Sequence, residues 1–555
     1  MAKESATPEV RTGGGLVHGL FQDRGQIAVF KGIPYAAPPV GARRWQPPQP
    51  VTPWEGVRPA TKYSPTAFQL AMGFEKFMNA LVVGQGWNGL KTEAVKLLFK
   101  VLPKPKESED CLYLNVRTPM LGGHGYLPVM VWIHGGDHQD GSGGEIFYDS
   151  NALAHRGVVV VTFNYRLGLM GYFAHPELSQ ESPQGVSGNY GTLDQIAALR
   201  WVQENISAFG GDPDNVTIFG ESAGGESVAH MLTSPLARGL FHKAIMQSPG
   251  NSGQMLFLKQ PFLNRPALEE FGREFATYLV GDGEPKVASG RAQLEQLRQI
   301  PAAELYKRWR EAEEFHRFHP VIDGYVLPKS PPAAFRDGDQ ARVPLIVGSN
   351  ADEGTLLYPI FPSPVAEFGR DNVQPAQIAG LIRQEFGTDS DALFSLYPGL
   401  EQGQGRAGMA LMGDSFFGAV SDFYAAQAAR AGQPVYNYFF TRTPPAARQM
   451  AGAYHAAELS FVHGSKIPLF DRTPDDDALT QVMGDYWTQF ASMGNPNMPG
   501  RPAWPRYDQT AVPQQMRLGI GNQLGATDIT RAAQYEIIQR RLHRLLDAMP
   551  ELLAT

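Results

Sequence analysis

The stretch of this chain best suited to covalent chemistry is Gly220-Glu221-Ser222-Ala223-Gly224-Gly225. It follows Asn215-Val216-Thr217-Ile218-Phe219, a β-branched and aromatic run that reads as a strand, and precedes Glu226 to Leu232, which reads as a helix. A serine at the apex of a strand–turn–helix is held strained with its hydroxyl exposed. Glycines two residues before and after it let the two backbones approach closely. The helix start behind Ser222 aims N–H groups and a positive dipole end at any negative charge that develops there. A hydroxyl is a weak nucleophile, so it needs a base, and the base needs an orienting acid.

In this arrangement the partners come later in the chain, acid before histidine. The run Pro344-Leu345-Ile346-Val347 leads into Gly348-Ser349-Asn350-Ala351-Asp352-Glu353-Gly354, so Asp352 and Glu353 are both candidates at the end of a strand. A later run, Val435 to Phe440, precedes Gly452-Ala453-Tyr454-His455-Ala456-Ala457-Glu458. Among 13 histidines, His455 is the candidate base because it sits on the loop after a late strand, with His463 as its rival. Upstream, Val131-Trp132-Ile133-His134-Gly135-Gly136-Asp137 puts paired glycines at a strand end, where backbone N–H groups can form an oxyanion hole. A tight structural turn is the alternative reading.

These pieces need a scaffold. Near-continuous apolar runs at Pro128 to Ile133 and Val158 to Phe163 read as central strands covered on both faces. Leu193 to Val202 is apolar around most of its circumference and reads as a buried helix. Strands alternating with helices predict an α/β fold with a mainly parallel sheet flanked by helices. No linker, repeat or charge block divides the 555 residues, so residues 10–550 read as one domain, with mostly helical insertions at 255–320 and 360–432. Residues 68–102 read as two short amphipathic helices around Gly84 to Gly89, either a satellite pair with ordinary contacts or a lid over a site entrance. The chain ends in an amphipathic helix around 529–548, with Ile537, Ile538, Leu542 and Leu545 inward.

A net charge of −7 argues against a nucleic-acid partner, and the absence of any run of 18 apolar residues argues against a transmembrane segment. The opening residues have no apolar h-region, which fits a cytoplasmic protein or a mature secreted or periplasmic form without its signal peptide. The one cysteine, Cys111, excludes an internal disulfide.

The chain resembles the type-B carboxylesterase/cholinesterase family of the α/β-hydrolase fold over roughly residues 10–520. The resemblance is carried by Gly32-Ile33-Pro34-Tyr35-Ala36 with Pro38-Pro39-Val40-Gly41, Glu109 to Val116, Phe209-Gly210-Gly211-Asp212-Pro213 and the serine turn. Asp352-Glu353-Gly354, Gly452-Ala453-Tyr454-His455 and Asn495-Pro496-Asn497 complete it. It implies Ser222 as nucleophile, His455 as base and Glu353, not Asp352, as the orienting acid. It implies an oxyanion hole from the N–H groups of Gly136, Asp137 and Ala223, with Gly135 beside them, and Glu221 as an auxiliary buried acid near the histidine. No metal or cofactor is implied; the substrate is a small-molecule ester, and the protein a monomer or homodimer. The alternatives are a lipase-like hydrolase and a catalytically silent adhesion or scaffold protein, though silent relatives typically lack the nucleophile.

Three departures stand out. Cys111 usually belongs to a disulfide in this family, but its partner falls near Ala67, which leaves the loop holding residues 68–102 unstapled. Position 137, usually glycine or alanine, is Asp137, followed by His138, Gln139 and Asp140. A carboxylate beside an oxyanion hole is unfavourable unless neutralised, by His138 or a cation for example, and it hints at a polar or cationic substrate feature. The cluster His316-Arg317-Phe318-His319 reads as a solvated helix end, with lining of the site as the alternative.

Overall fold

The computed structural model describes residues 7–550 apart from 71, 102–104, 120, 122–125, 251–255, 264, 281–289, 359–374 and 509–511. Its strands are β1 (Glu9–Thr12), β2 (Gly15–His18), β3 (Leu20–Gln22), β4 (Ile27–Pro34), β5 (Val57–Pro59), β6 (Tyr113–Thr118) and β7 (Leu127–Ile133). Then follow β8 (Val159–Phe163), β9 (Gly211–Glu221), β10 (Lys243–Gln247), β11 (Leu345–Asn350), β12 (Val435–Phe440), β13 (Gln514–Leu518) and β14 (Gly525–Asp528). Among the described residues, 11 strands form one sheet in the order β14-β13-β12-β11-β10-β9-β7-β8-β6-β4-β3, and β1, β2 and β5 form a small second sheet. From β8 through β7, β9, β10, β11 and β12 to β13 every pairing is parallel. The outer pairings β13/β14, β8/β6, β6/β4 and β4/β3 are antiparallel.

The central strands are apolar throughout because alternate residues feed two different cores. On one face Val129, Val131, Ile133, Ile218, Met246 and Val347 pack with Ile196, Leu199 and Val202 of the helix Tyr190–Asn205. On the other Met130, Trp132, Phe219, Ile245, Ile346 and Tyr438 pack with Trp487 and Phe490 of the helix Pro474–Met493. A period of two along each strand thus becomes a sheet buried from both sides.

The first helical excursion contains Met72–Gly84 and Gly89–Val101. Its neck lacks a disulfide, and Cys111 is a free, buried thiol that burial holds protonated. The neck is closed by backbone instead: Thr66 N–H donates to Lys106 O and Ser108 N–H to Thr66 O, each at 2.9 Å. The expected helical stretches over 255–320 and 360–432 contain Leu268–Val280, Arg291–Gln299 and Ala302–Glu311, then Pro375–Phe386, Ser390–Leu396, Gly405–Gly413 and Ala419–Arg430. Residues 281–289 and 359–374 of those stretches lie outside the described residues. In the last helix, Ala532–Asp547, Leu542 and Leu546 are buried, while Leu545 is only partly so.

Candidate active site

Strand order builds the site. Parallel neighbours end at the same edge of a sheet, so the loops after β7, β9, β10, β11 and β12 meet in that spatial sequence. They carry, in turn, the Gly135-Gly136-Asp137 loop, Ser222, Ser248, Glu353 and His455.

Ser222 starts the helix Ala223–Thr233 with φ 58° and ψ −126°, a conformation that costs an L-residue about 1–3 kcal/mol. Two backbone hydrogen bonds hold it there, from Ser222 N–H to Gln247 O and from Glu226 N–H to Ser222 O, both 2.9 Å. The glycines are needed sterically. A Cβ on Gly220 would stand 2.7 Å from Ile133 O, and one on Gly224 2.9 Å from His134 O. Because the first helical bond runs to Ser222 O, the N–H of Ala223 belongs to the unpaired first turn and is available to an anion.

His455 is buried, and its Nδ1 lies 2.6 Å from Glu353 Oε2. Glu353 Oε1 accepts from Ser248 Oγ at 2.5 Å and from the Asn350 N–H at 2.7 Å. These three contacts leave the carboxylate one orientation. Asp352 does something else: its Oδ2 accepts the Ala453 N–H at 2.8 Å and so ties the histidine loop to β11. A third carboxylate, Glu458, is fully buried between Gln247 Nε2 (3.0 Å) and Asn350 Nδ2 (2.6 Å). Glu221 Oε1 lies 3.3 Å from His455 Nε2. Burial raises the Glu221 carboxyl to about 8, His455 opposing. Burial pulls the imidazole of His455 down, but Glu221 and Glu353 outweigh it and hold the ring at about 9. Phe417, on a single π turn spanning Asp414–Gly418, lies against the imidazole with ring centroids 4.4 Å apart. Among the described residues no hydrogen bond joins Ser222 Oγ to His455, and the Nε2 edge faces Glu221.

On the other flank, a Cβ on Gly135 would stand 2.6 Å from Glu221 O and 3.1 Å from Ser222 Cβ, so only glycine brings this loop against the serine. Gly136, Asp137 and His138 all have left-handed φ (101°, 56° and 55°), a backbone that turns successive N–H groups to one side. Asp137 Oδ2 lies 3.3 Å from His319 Nε2. The solvated reading of residues 316–319 is therefore corrected for His319, which is buried behind the oxyanion loop, while His316 Nε2 meets Trp309 O at 2.6 Å. His463, the rival histidine, is packed against Trp132 and Phe219, and burial lowers its pKa to about 3.

Sequence reasoning brought Ser222, Glu353, His455, Gly135, Gly136, Asp137, Ala223 and Glu221 to one place, and the structure gathers them there. It missed Ser248, Asn350, Glu458, Phe417 and the contact of His319. Glu458 had a signal, three residues after His455; Phe417 had none, because its approach depends on a helix far from the loop in sequence.

A strained serine between strand and helix at the C-terminal edge of a parallel sheet, with acid and histidine on later strand ends, defines an α/β-hydrolase. A model of the carboxylesterase family matches residues 6–538. The chain belongs to the carboxylesterase family and is a carboxylic-ester hydrolase. It is 36% identical over 531 residues to a fumonisin B1 esterase of Sphingopyxis macrogoltabida, covering 93% of this chain and 88% of that protein. It is 36% identical over 526 residues to a medium-chain fatty acyl-CoA hydrolase precursor of Anas platyrhynchos, covering 91% and 88%. Its structure is similar to that of a PNB esterase, with a TM-score of 0.75 at 32% identity, covering 96% of this chain and all of that one.

Proposed function

We propose that Ser222 attacks the ester carbonyl and carries the acyl group, with His455 as general base and Glu353 as its orienting acid. The observation that carries this is the 2.6 Å contact between His455 Nδ1 and Glu353 Oε2 at the strand ends flanking the serine turn. That contact fixes the Nδ1–H tautomer and leaves Nε2 to take the serine proton. Glu221 is the resting partner of Nε2, and the serine hydroxyl replaces it when substrate seats. The N–H groups of Gly136, Asp137 and Ala223 hold the oxyanion, and Gly135 gives their loop its closeness. His455 then protonates the leaving alcohol, and water repeats the sequence on the acyl-enzyme. These residues all come from one chain, so a monomer or a homodimer would be competent.

The test is a panel of p-nitrophenyl esters run on wild type and Ser222→Ala. Loss of kcat by about 10⁴–10⁶-fold in the variant supports the reading, and equal residual activity in both proteins overturns it.

We propose further that residues 68–102 cover the entrance. Met78 and Leu81 pack with Leu356 and Ala451, next to Glu353 and to the His455 loop. Gly84 O accepts the N–H groups of Met450 (2.8 Å) and Ala451 (3.1 Å), while Trp87 Nε1 and Lys91 Nζ bind Asp471 at 2.8 and 2.6 Å. A lipase-like reading has one observation in its favour: Leu90, Leu97 and Val101 share a face of the second helix and are 88%, 59% and 65% exposed. A jump in rate as tributyrin passes its solubility limit supports that reading, and a smooth hyperbola excludes it.

A further inference from the structure

Apolar residues on a surface helix ordinarily face inward, but the second cover helix, Gly89–Val101, turns them both ways. Val95 is fully buried, and Phe99 packs against the cluster of Met78, Leu81, Leu356 and Ala451. Leu90, Leu97 and Val101 stand in solvent. At 3.6 residues per turn these three lie within about 40° of one another, roughly opposite Phe99, and form a stripe about 16 Å long.

The stripe is not isolated. Among the described residues 16 large apolar side chains are exposed, and six of them belong to the cover or the loops it sits on: Val83, Leu90, Leu97, Val101, Met450 and Leu469. Met450 N–H donates to Gly84 O beside Val83, and Leu469 precedes Phe470, whose ring lies 5.1 Å from that of Trp87. The remainder are spread over the rest of the chain, as on any protein surface.

Charge follows the same surface. Residues 72–101 and the loops 446–451 and 466–471 hold six cations, Lys76, Lys91, Lys96, Lys100, Arg448 and Lys466, against three acids, Glu75, Glu93 and Asp471. The chain as a whole carries −7, so this is a basic face on an acidic protein. Around the helix, Lys91 lies about 100° to one side of Leu90, and Lys100 about 80° to the other. Lys91 Nζ meets Asp471 Oδ1 at 2.6 Å and Lys96 Nζ meets Glu93 Oε1 at 2.9 Å. Both pairs are at the surface, where such contacts are weak and yield to a competing anion.

An apolar stripe flanked by long cationic side chains matches the boundary between acyl chains and anionic headgroups. A second copy of the chain fits this face less well, because an isologous contact would set the basic surface against itself. Among the described residues no helix is long and apolar enough to cross a membrane, so the contact is with the lipid surface.

We propose that the outer face of the cover docks the protein on anionic lipid surfaces. Leu90, Leu97 and Val101 enter the acyl boundary, and Lys91, Lys96 and Lys100 meet the headgroups. The inner side of the cover packs on Leu356 and Ala451, so docking holds the proposed entrance at the lipid. The inference concerns binding and does not depend on the ester-hydrolase reading.

The test is co-sedimentation of the full chain with sucrose-loaded vesicles and no ester present. One set is phosphatidylcholine alone, and the other contains about 30% phosphatidylglycerol. The partition coefficient should be at least about tenfold higher on the anionic vesicles and should fall as salt is raised. Leu97→Ser combined with Val101→Ser should lower it about tenfold, and Lys100→Glu several-fold. Phe21→Ser, which removes an exposed apolar side chain from β3 at the end of the sheet, should leave it unchanged. All these positions are exposed, and melting temperatures equal to wild type show that the variants fold. Equal partitioning onto neutral and anionic vesicles, no binding to either, or binding that survives both cover variants would overturn the proposal. So would a wild-type dimer in sedimentation equilibrium that Leu97→Ser with Val101→Ser dissociates, in the absence of vesicle binding, since a second copy then covers the face. Loss of p-nitrophenyl ester turnover in Ser222→Ala reports separately on the ester reading.

Discussion

The two flanks of Ser222 are built on opposite principles. On the histidine side three buried carboxylates, Glu353, Glu458 and Glu221, surround one imidazole, and Glu353 and Glu458 are each fixed by two short hydrogen bonds from neighbouring loops. On the oxyanion side the backbone is wound left-handed through Gly136, Asp137 and His138, and the side chain at its centre stands in solvent. The first flank must hold a proton in one place through the whole reaction, which demands satisfied, immobile partners. The second touches the substrate itself, so it is free to vary with what is bound. Generic chemistry and selectivity therefore sit on opposite sides of one serine.

The contrast is sharpest for the adjacent acids Glu353 and Asp352. Glu353→Gln should lower kcat about 10⁴-fold on a neutral ester, because the orienting charge on His455 is lost. Asp352→Ala should leave most of kcat and instead lower stability by about 1–2 kcal/mol, since the Ala453 N–H loses its acceptor. Steady-state kinetics and urea melts on the pair check this, and similar kinetic defects in both would break the distinction.

A smaller effect separates the flanks by pH. Glu221 is one of the charges raising His455, and the reaction needs the neutral imidazole. Removing that charge lowers the folded-state pKa of the ring, so Glu221→Gln should move the acid limb of the kcat/KM profile to lower pH. An unmoved or upward-moving limb would mean that the Glu221 charge does not raise His455.

The smallest effect is expected at the cover. Asp471→Ala removes the acceptor of both Trp87 and Lys91, and an exposed pair of this kind contributes about 0.2–1 kcal/mol. KM for long acyl chains should change a few-fold with kcat for short esters preserved. No change across chain lengths would assign residues 68–102 a packing role only.

Much of this was legible before any coordinates. The strand–turn–helix at Ser222, the strand-end positions of Glu353 and His455, and the parallel core follow from local pattern, because glycine spacing, β-branched runs and loop chemistry act over a few residues. The place of His455 on the loop after a late strand is equally local, whereas the packing of His463 against Trp132 is not. What the chain alone left open concerned partners far apart in sequence. That Asp137 meets His319, that Phe417 lies against the His455 imidazole, and that Ser248 holds Glu353 depend on which loops the sheet order brings together. Sequence determined the candidate reacting groups, since their chemistry is carried by residue type and short spacing. Tertiary structure alone decided their charges and orientations, since both depend on burial and on contacts made across long stretches of chain.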